Sequence, residues 1–288
     1  MTISSGHTEG ISAGYRTAPT RTLTAGGVTW AYRVLGTPGD VPLILLPHLA
    51  AVLDNWDPAV VDGLAAGRQV IAFDNRGVGA TTGETPNSVE AMARDAVTFI
   101  RALGHQQVDL LGLSLGGMVA QVIAHREAHL VRKLILAGTG PAGGTGITKV
   151  TRLSNLALLR GALARQDPKK YLFFTRTANG RRAADEFLAR LQERAQDRDT
   201  PVALSTYRAQ LRAVSRWGRA RATDLSLIHQ PTLVANGEQD VMVPTANSVD
   251  LAERLPNSEL VLYPDAGHGG IFQHHAAFTA TALAFLAR

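Results

Sequence analysis

The sequence predicts an α/β protein with a mostly parallel central sheet, helices on both of its faces and a helical cap inserted between two blocks of strands. Three observations support this. Short, continuous apolar runs recur along the chain, as expected of strands buried on both faces. Segments of helical periodicity separate them, as in sheets whose parallel strands are joined by crossover helices. One long stretch, 141–224, keeps the helical period but offers no convincing strand.

In chain order, the first twenty residues are rich in Ser, Thr and Gly, with neither a basic start nor an apolar run of signal length, and are expected to form a mobile tail, 1–20. Residues 27–34, where Val28, Trp30, Tyr32 and Val34 alternate with other residues, read as a half-exposed edge strand. The apolar runs 43–46, 70–73, 108–111 and 133–137 are each short enough for a buried strand. Residues 88–103 form a helical pattern that opens on Ser88 and stops near Gly104. After the insertion the alternation resumes with a strand at 231–236, a helix at 246–255, a strand at 258–263 and a closing helix at 275–287. The expected organisation is one core, 21–140 and 225–288, carrying a cap, 141–224. Such a cap should lie over the carboxyl ends of the strands, where open α/β sheets bind ligands.

Composition narrows the chemistry. The 288 residues are 45% apolar and 18% charged, within the ordinary globular range and enough for one substantial core. No Cys is present, which excludes disulfides, thiolate metal or redox sites and a thiol nucleophile. The apolar runs fall well short of the ~20 residues of a membrane span, so no membrane partner is expected and a cytoplasmic location is the default. The net charge of +5 is unevenly spread: 141–222 holds 17 Lys and Arg against 6 Asp and Glu, a balance of +11, and the remainder holds 12 against 18, a balance of −6. No aromatic residues interleave with the basic ones in the manner of nucleic-acid binders. Arginine-rich solvated helix faces account for the excess, and an anion-attracting surface is the alternative.

Gly112-Leu113-Ser114-Leu115-Gly116-Gly117 follows the apolar run 108–111 directly and precedes a helical segment, 118–125. A G-x-S-x-G turn between strand and helix needs small residues on each side of the serine, because the backbone is bent sharply and a side chain at Gly112 or Gly116 would clash. The bend lifts the hydroxyl out at the tip of the sheet, beside the unpaired N–H groups of the next helix. Ser114 is therefore the candidate nucleophile. A neutral serine needs a histidine to take its proton and a carboxylate to hold that histidine in one tautomer. His268 lies just after the last strand in Asp265-Ala266-Gly267-His268-Gly269-Gly270, flanked by glycines that let the loop bend back over the strand ends. His274 and His275 open the final helix, and His105, His125, His129 and His229 sit at helix or loop ends. The order Ser, acid, His calls for an acid after a late strand, and Asp240 fits, with Glu238 and Asp265 as competitors.

Taken together, the chain from Gly27 to Leu286 resembles the α/β-hydrolase superfamily. Its landmarks occur in order: the strand 43–46 with an oxyanion loop, the Asp74-Asn75-Arg76-Gly77-Val78-Gly79 turn, the nucleophile elbow, the acid turn at Gly237-Glu238-Gln239-Asp240, and the terminal Gly267-His268. The resemblance implies Ser114 as nucleophile, Asp240 as acid and His268 as base, with the Leu115 N–H forming half of an oxyanion hole and no metal or organic cofactor. Asp74 and Arg76 are structural in such proteins. Where relatives commonly carry H-G-x after this strand, the chain has Pro47-His48-Leu49, so Leu49 aligns as the second oxyanion donor. His48 brings an imidazole near the site, there to touch substrate or to bond its own loop. Asp54 to Pro58 should cap and pack the following helix.

The implied activity is a serine hydrolase acting on a carboxylic ester or similar small-molecule acyl substrate. Aspartate-nucleophile activities, epoxide opening and halide displacement, are disfavoured by Ser114. A cofactor-free haloperoxidase or perhydrolase, a carbon–carbon bond hydrolase, a lactonase and a non-enzymatic ligand receptor on the same fold are the alternatives. Substrate choice should rest with the cap, whose Tyr171, Phe173, Phe174, Tyr207 and Trp217 are candidates for an apolar pocket, Phe174 and Trp217 foremost. The sequence says nothing of oligomeric state.

Overall fold

Two glycines start the sheet. Arg21–Ala25 (β1) and Val28–Leu35 (β2) form an antiparallel hairpin across Gly26 and Gly27, whose φ values of 59° and 75° suit a tight two-residue loop. The edge strand is therefore β1, and β2, expected at the edge, lies one place inside it. Arg21, Thr22 and Thr24 give β1 too little apolar pattern to register as a strand.

The computed structural model describes residues 14–288 and adds Leu43–Leu46 (β3), Val70–Phe73 (β4), Val108–Leu113 (β5), Val131–Ala137 (β6), Thr232–Gly237 (β7) and Ser258–Tyr263 (β8). The eight strands lie in the order 1-2-4-3-5-6-7-8, antiparallel between β1, β2 and β4 and parallel from β4 onward. The helices are Pro58–Ala65 (α1), Val89–Ala102 (α2), Leu115–Arg126 (α3), Val150–Ala164 (α4), Lys169–Phe173 (α5), Ala178–Leu191 (α6), Leu204–Arg219 (α7), Ala246–Arg254 (α8), Gly270–Gln273 (α9) and His275–Ala287 (α10).

Alternation along each strand sends side chains to two cores. Ile44, Leu46, Ile71, Phe73, Leu134 and Leu136 pack with Met92, Phe99 and Ile100 of α2 and Met118 of α3 on one face. Leu43, Leu45, Val70, Ile135 and Leu233 pack with Val60 and Leu64 of α1 and Phe278 and Phe285 of α10 on the other. Local caps fix the helix starts: Ser88 Oγ accepts from Ala91 N–H at 3.3 Å, and Asp57 Oδ1 accepts from Ala59 N–H at 3.0 Å with Pro58 in the first turn. Asp57 also takes both arms of Arg190 from α6, at 2.8 and 2.7 Å, and Trp56 is buried. Between β6 and β7 run α4 to α7, with no strand among the described residues of 141–224.

Of the expected tail 1–20, residues 1–13 lie outside the described residues, and 14–20 are not a loose tail. Tyr15 is buried, its hydroxyl donates to Leu53 O at 2.7 Å, and Arg194 donates to the carbonyls of Tyr15, Arg16 and Ala18. One buried aromatic ring outweighs the flexible composition around it.

Residues 194–199 also reach the turn after β4. Asp74 Oδ1 accepts from Leu53 N–H at 2.8 Å, and Asp199 N–H donates to Asp54 Oδ2 at 2.7 Å. The Asp74 and Asp199 carboxyls crowd the Cα of Gly79, where a side chain would collide with both. Burial, and next the neighbouring Asp199, push the Asp74 carboxyl well above the usual carboxylate range, against the opposing pull of the Leu53 N–H and Arg33. The folded state therefore holds a proton that the unfolded chain releases. That stability is full below the unfolded pKa and is lost as pH rises through the folded one. Asp199→Asn removes the like charge, so wild type should lose more melting temperature than the variant between pH 5 and pH 8, by roughly 2 °C or more if ~1 kcal/mol is involved. Parallel melting curves across that range would show that Asp74 does not titrate there.

Candidate active site

The chain bends hardest between β5 and α3. Ser114 stands alone at that joint with φ 56° and ψ −114°, a conformation costly for a residue with a Cβ. Two contacts hold it: Ser114 N–H donates to Ala137 O at 2.9 Å, and Thr139 Oγ1 donates to Ser114 O at 2.8 Å. The flanking glycines are required by contact, since a Cβ on Gly112 would strike the Gly116 carbonyl and one on Gly116 would strike Leu46 O. Leu115 occupies the first turn of α3, where the N–H has no partner within the helix and the helix dipole is positive.

Asp240 follows β7 by a short turn. Its Oδ1 accepts from Met242 N–H at 2.8 Å and Val243 N–H at 3.0 Å, and its Oδ2 accepts from His268 Nδ1–H at 2.8 Å. Both side chains are buried. The carboxylate assigns the proton to Nδ1 and leaves the Nε2 lone pair free to act as a base. The competing acids are placed elsewhere. Glu238 is exposed, and Asp265 is held by Thr175, Thr177 and Asn179, whose hydrogen bonds, Asn179 first, keep its carboxyl below the usual range. The histidine loop leans on the inserted helices: Gly269 N–H donates to Phe173 O at 2.8 Å.

Leu49 sits in the loop after β3. The adjacent Ala50 has φ 56°, and its N–H donates at 2.7 Å to Oε1 of Gln210, a fully buried residue of α7. His48 Nδ1 donates to Leu49 O at 2.8 Å, so the ring bonds its own loop, and its Nε2 is a buried acceptor without a partner among the described residues. Burial pushes this imidazole down to about 3, so it is neutral at physiological pH. Its ring meets Phe173 edge-on at 5.0 Å, and Phe173 meets His268 at 5.6 Å.

Ser114, His268, His48 and Leu49 line one cavity of about 200 Å³, which Met118, Val150, Leu158, Leu172, Phe173, Val214, Met242 and Val243 make predominantly apolar. Leu115 adjoins it through Ser114. Of the expected pocket aromatics, Phe173 and Tyr207 border the cavity, and Phe174 and Trp217 do not. Phe174 packs on Phe187 at 5.5 Å, and the Trp217 indole N–H donates to Gly140 O at 3.1 Å. Tyr171 is likewise absent from its lining. Two groups carried no sequence signal for the contacts they make: the side chain of Gln210, one of many polar residues of α7, and the Phe173 carbonyl that holds the histidine loop. Among the described residues no group of three or more His, Asp or Glu is placed to hold a metal ion, and no helix is long and apolar enough to cross a membrane.

A family model described as alpha/beta hydrolase fold matches residues 41–275. A solved alpha/beta hydrolase fold protein from Chitinophaga pinensis is similar at 39% identity and a TM-score of 0.90, with 95% of this chain and 98% of that one covered. A provisionally named carbamate hydrolase, RutD, of Variovorax paradoxus is 30% identical, with 89% of this chain and 96% of its own covered. A provisionally named non-heme bromoperoxidase, BpoC, of Mycobacterium tuberculosis is 28% identical, with 90% and 98% covered.

Proposed function

Because the chain belongs to the α/β-hydrolase family and is a hydrolase of that family, we propose that it cleaves a carboxylic ester or similar acyl compound through an acyl-enzyme on Ser114. The observation that carries this reading is the buried Asp240–His268 bond of 2.8 Å, whose histidine borders the same cavity as the strained Ser114. Ser114 Oγ attacks the carbonyl carbon as His268 Nε2 takes its proton. The carbonyl oxygen becomes an oxyanion held by the N–H groups of Leu115 and Leu49. Collapse breaks the bond to the leaving alcohol, which receives the proton from His268. Water then attacks the acyl carbon, gives a proton to His268, and Ser114 leaves with that proton as the free acid is released. Asp240 keeps the imidazole in one tautomer and balances its transient positive charge.

On this reading residues 141–224 act as a cap whose Phe173, Leu158, Tyr207 and Val214 shape the substrate cavity. The cap also supports the oxyanion loop, because Gln210 accepts from the N–H next to Leu49. Gln210→Leu deletes that acceptor and leaves Ala50 to relax from its positive φ. The expected result is a fall in kcat of roughly 10- to 100-fold with little change in KM, below the 10²–10³ seen when an oxyanion donor is removed outright. Gln210→Glu keeps an oxygen at the same place and should recover most of the rate. An unchanged kcat in Gln210→Leu would separate the cap from the oxyanion loop.

The test of the function is turnover of p-nitrophenyl esters of graded chain length and of lactones by the purified protein, together with covalent labelling by a fluorophosphonate. Absence of both would refute it. The similarity to BpoC favours one further reading, in which hydrogen peroxide replaces water at the acyl-enzyme and acetate is converted to peracetic acid and water. Bromination in the presence of acetate, peroxide and bromide, lost in Ser114→Ala, would identify that activity.

A further inference from the structure

A second concavity of about 540 Å³ lies between α4 and α7, and Leu158 and Tyr207 line both it and the cavity that holds Ser114. Tyr207 OH donates to Asn155 Oδ1 at 2.9 Å, joining the two helices at the boundary between the two spaces. Arg208, Arg212, Arg216 and Arg219 line this groove, at helical positions i, i+4, i+8 and i+11 of α7. Neither α4 nor α7 contains an Asp or Glu, and no carboxylate lines the groove.

Five basic residues elsewhere in the insertion are each paired with a carboxylate. Lys169 pairs with Asp167, Lys170 with Asp185, Arg182 with Glu186, Arg190 with Asp57 and Arg194 with Asp197. In the groove, Arg216 donates to Asn87 and Arg219 to Ser215 Oγ, both neutral, and Arg208 and Arg212 have no partner among the described residues. Like charges one turn apart on a helix repel each other, and an anion between them removes the repulsion. A guanidinium presents a planar fork of donors that fits a carboxylate or phosphate in two parallel hydrogen bonds. A solvated helix face would not be expected to be concave, free of acids and adjacent to the cavity that holds Ser114 at once.

We propose that this groove binds an anionic group, a carboxylate or a phosphate, at the far end of the acyl substrate, with the scissile carbonyl at Ser114 and an apolar chain passing Leu158 and Tyr207. The inference rests on the hydrolase reading above and names its substrate class. Arg208 and Arg212 are the specificity-determining residues.

The test compares p-nitrophenyl hemiesters of dicarboxylic acids of graded length with their methyl-capped neutral counterparts and with phosphonate-tailed analogues. At low salt, kcat/KM for the best anionic ester should exceed that of its neutral match by about tenfold or more, and the advantage should shrink as ionic strength rises while the neutral ester responds little. In the Arg208→Gln, Arg212→Gln double variant the ratio of anionic to neutral kcat/KM should fall close to one, with a melting temperature near that of wild type. The carboxylate and phosphonate arms identify which anion fits. Equal salt responses for the two esters, or a preference that survives in the double variant, overturns the groove and leaves the hydrolase intact. If no ester of either kind is turned over, the hydrolase reading fails by itself. Calorimetric titration of the Ser114→Ala protein with the hemiesters then decides the groove alone: binding abolished by the two arginine substitutions supports it, and no binding overturns it.

Discussion

Ser114→Ala is expected to lower ester turnover by several orders of magnitude, on the order of the 10⁶ lost when a triad serine is removed in other hydrolases, while the fold survives. The contacts that hold the elbow are made by backbone: the Ser114 N–H to Ala137 O and the Ser114 carbonyl to Thr139 Oγ1. Alanine keeps both, and at φ 56° it bears the same Cβ strain as serine, so the folded state loses no interaction that the hydroxyl alone supplied. The melting temperature should stay within about 2 °C, the scale of a change under ~1 kcal/mol for a chain of this size. Fluorophosphonate labelling should vanish together with turnover. Near wild-type kcat in a correctly folded Ser114→Ala protein would remove the nucleophile from the proposal and the acyl-enzyme with it.

The parts of the molecule legible in the sequence are those fixed by short-range sterics or by burial on both sides. The turn around Ser114 is legible because the need for Gly112 and Gly116 is local: each touches backbone of the turn or of the neighbouring β3, so no side chain fits whatever the rest of the fold does. The inner parallel strands are legible because burial on both faces leaves only apolar residues, as in Leu43–Leu46 and Val70–Phe73. The edge strand β1 has solvent beside it and carries threonines, so its only signal is the Gly26-Gly27 turn. The segment 14–20 looks like a tail because a single Tyr15 supplies the burial that Ser, Thr and Gly do not.

Among the expected pocket aromatics, Phe173 and Tyr207 border the cavity and Tyr171, Phe174 and Trp217 do not, for a different reason. Adjacent residues on a helix point about 100° apart, and α5 has five residues, too few for its own periodicity to set which of Phe173 and Phe174 turns toward His268. Trp217 lies on the buried stripe of α7, but that stripe meets Gly140 and the helix α2 as well as the cavity. Gln210 shares the helix and is bonded to a residue 160 positions away. No pattern of spacing in one chain encodes such a contact, since a buried glutamine in a helix is defined only by the backbone group it satisfies.

Asp240→Asn should reduce kcat by up to about 10⁴, the loss found when a triad histidine is trapped in the wrong tautomer, whereas Glu238→Gln should leave the rate within a factor of about two. The direction follows from which oxygen is already committed. Oδ1 accepts two backbone N–H groups, from Met242 at 2.8 Å and Val243 at 3.0 Å, and an asparagine must keep its own oxygen there or set an NH₂ against two donors. Its NH₂ then points at His268 Nδ1, 2.8 Å from where Oδ2 had been. Two donors cannot share that hydrogen bond, so the imidazole moves its proton to Nε2, the nitrogen that accepts from Ser114 in the proposed mechanism. The geometry stays, the base is lost, and the effect should fall on kcat far more than on KM. Glu238 is exposed, and its backbone N–H, which donates to Tyr263 O at 3.0 Å, is unaffected by the change of side chain. A dead Glu238→Gln beside an active Asp240→Asn would move the acid two residues upstream and put the turn after β7 in the wrong register.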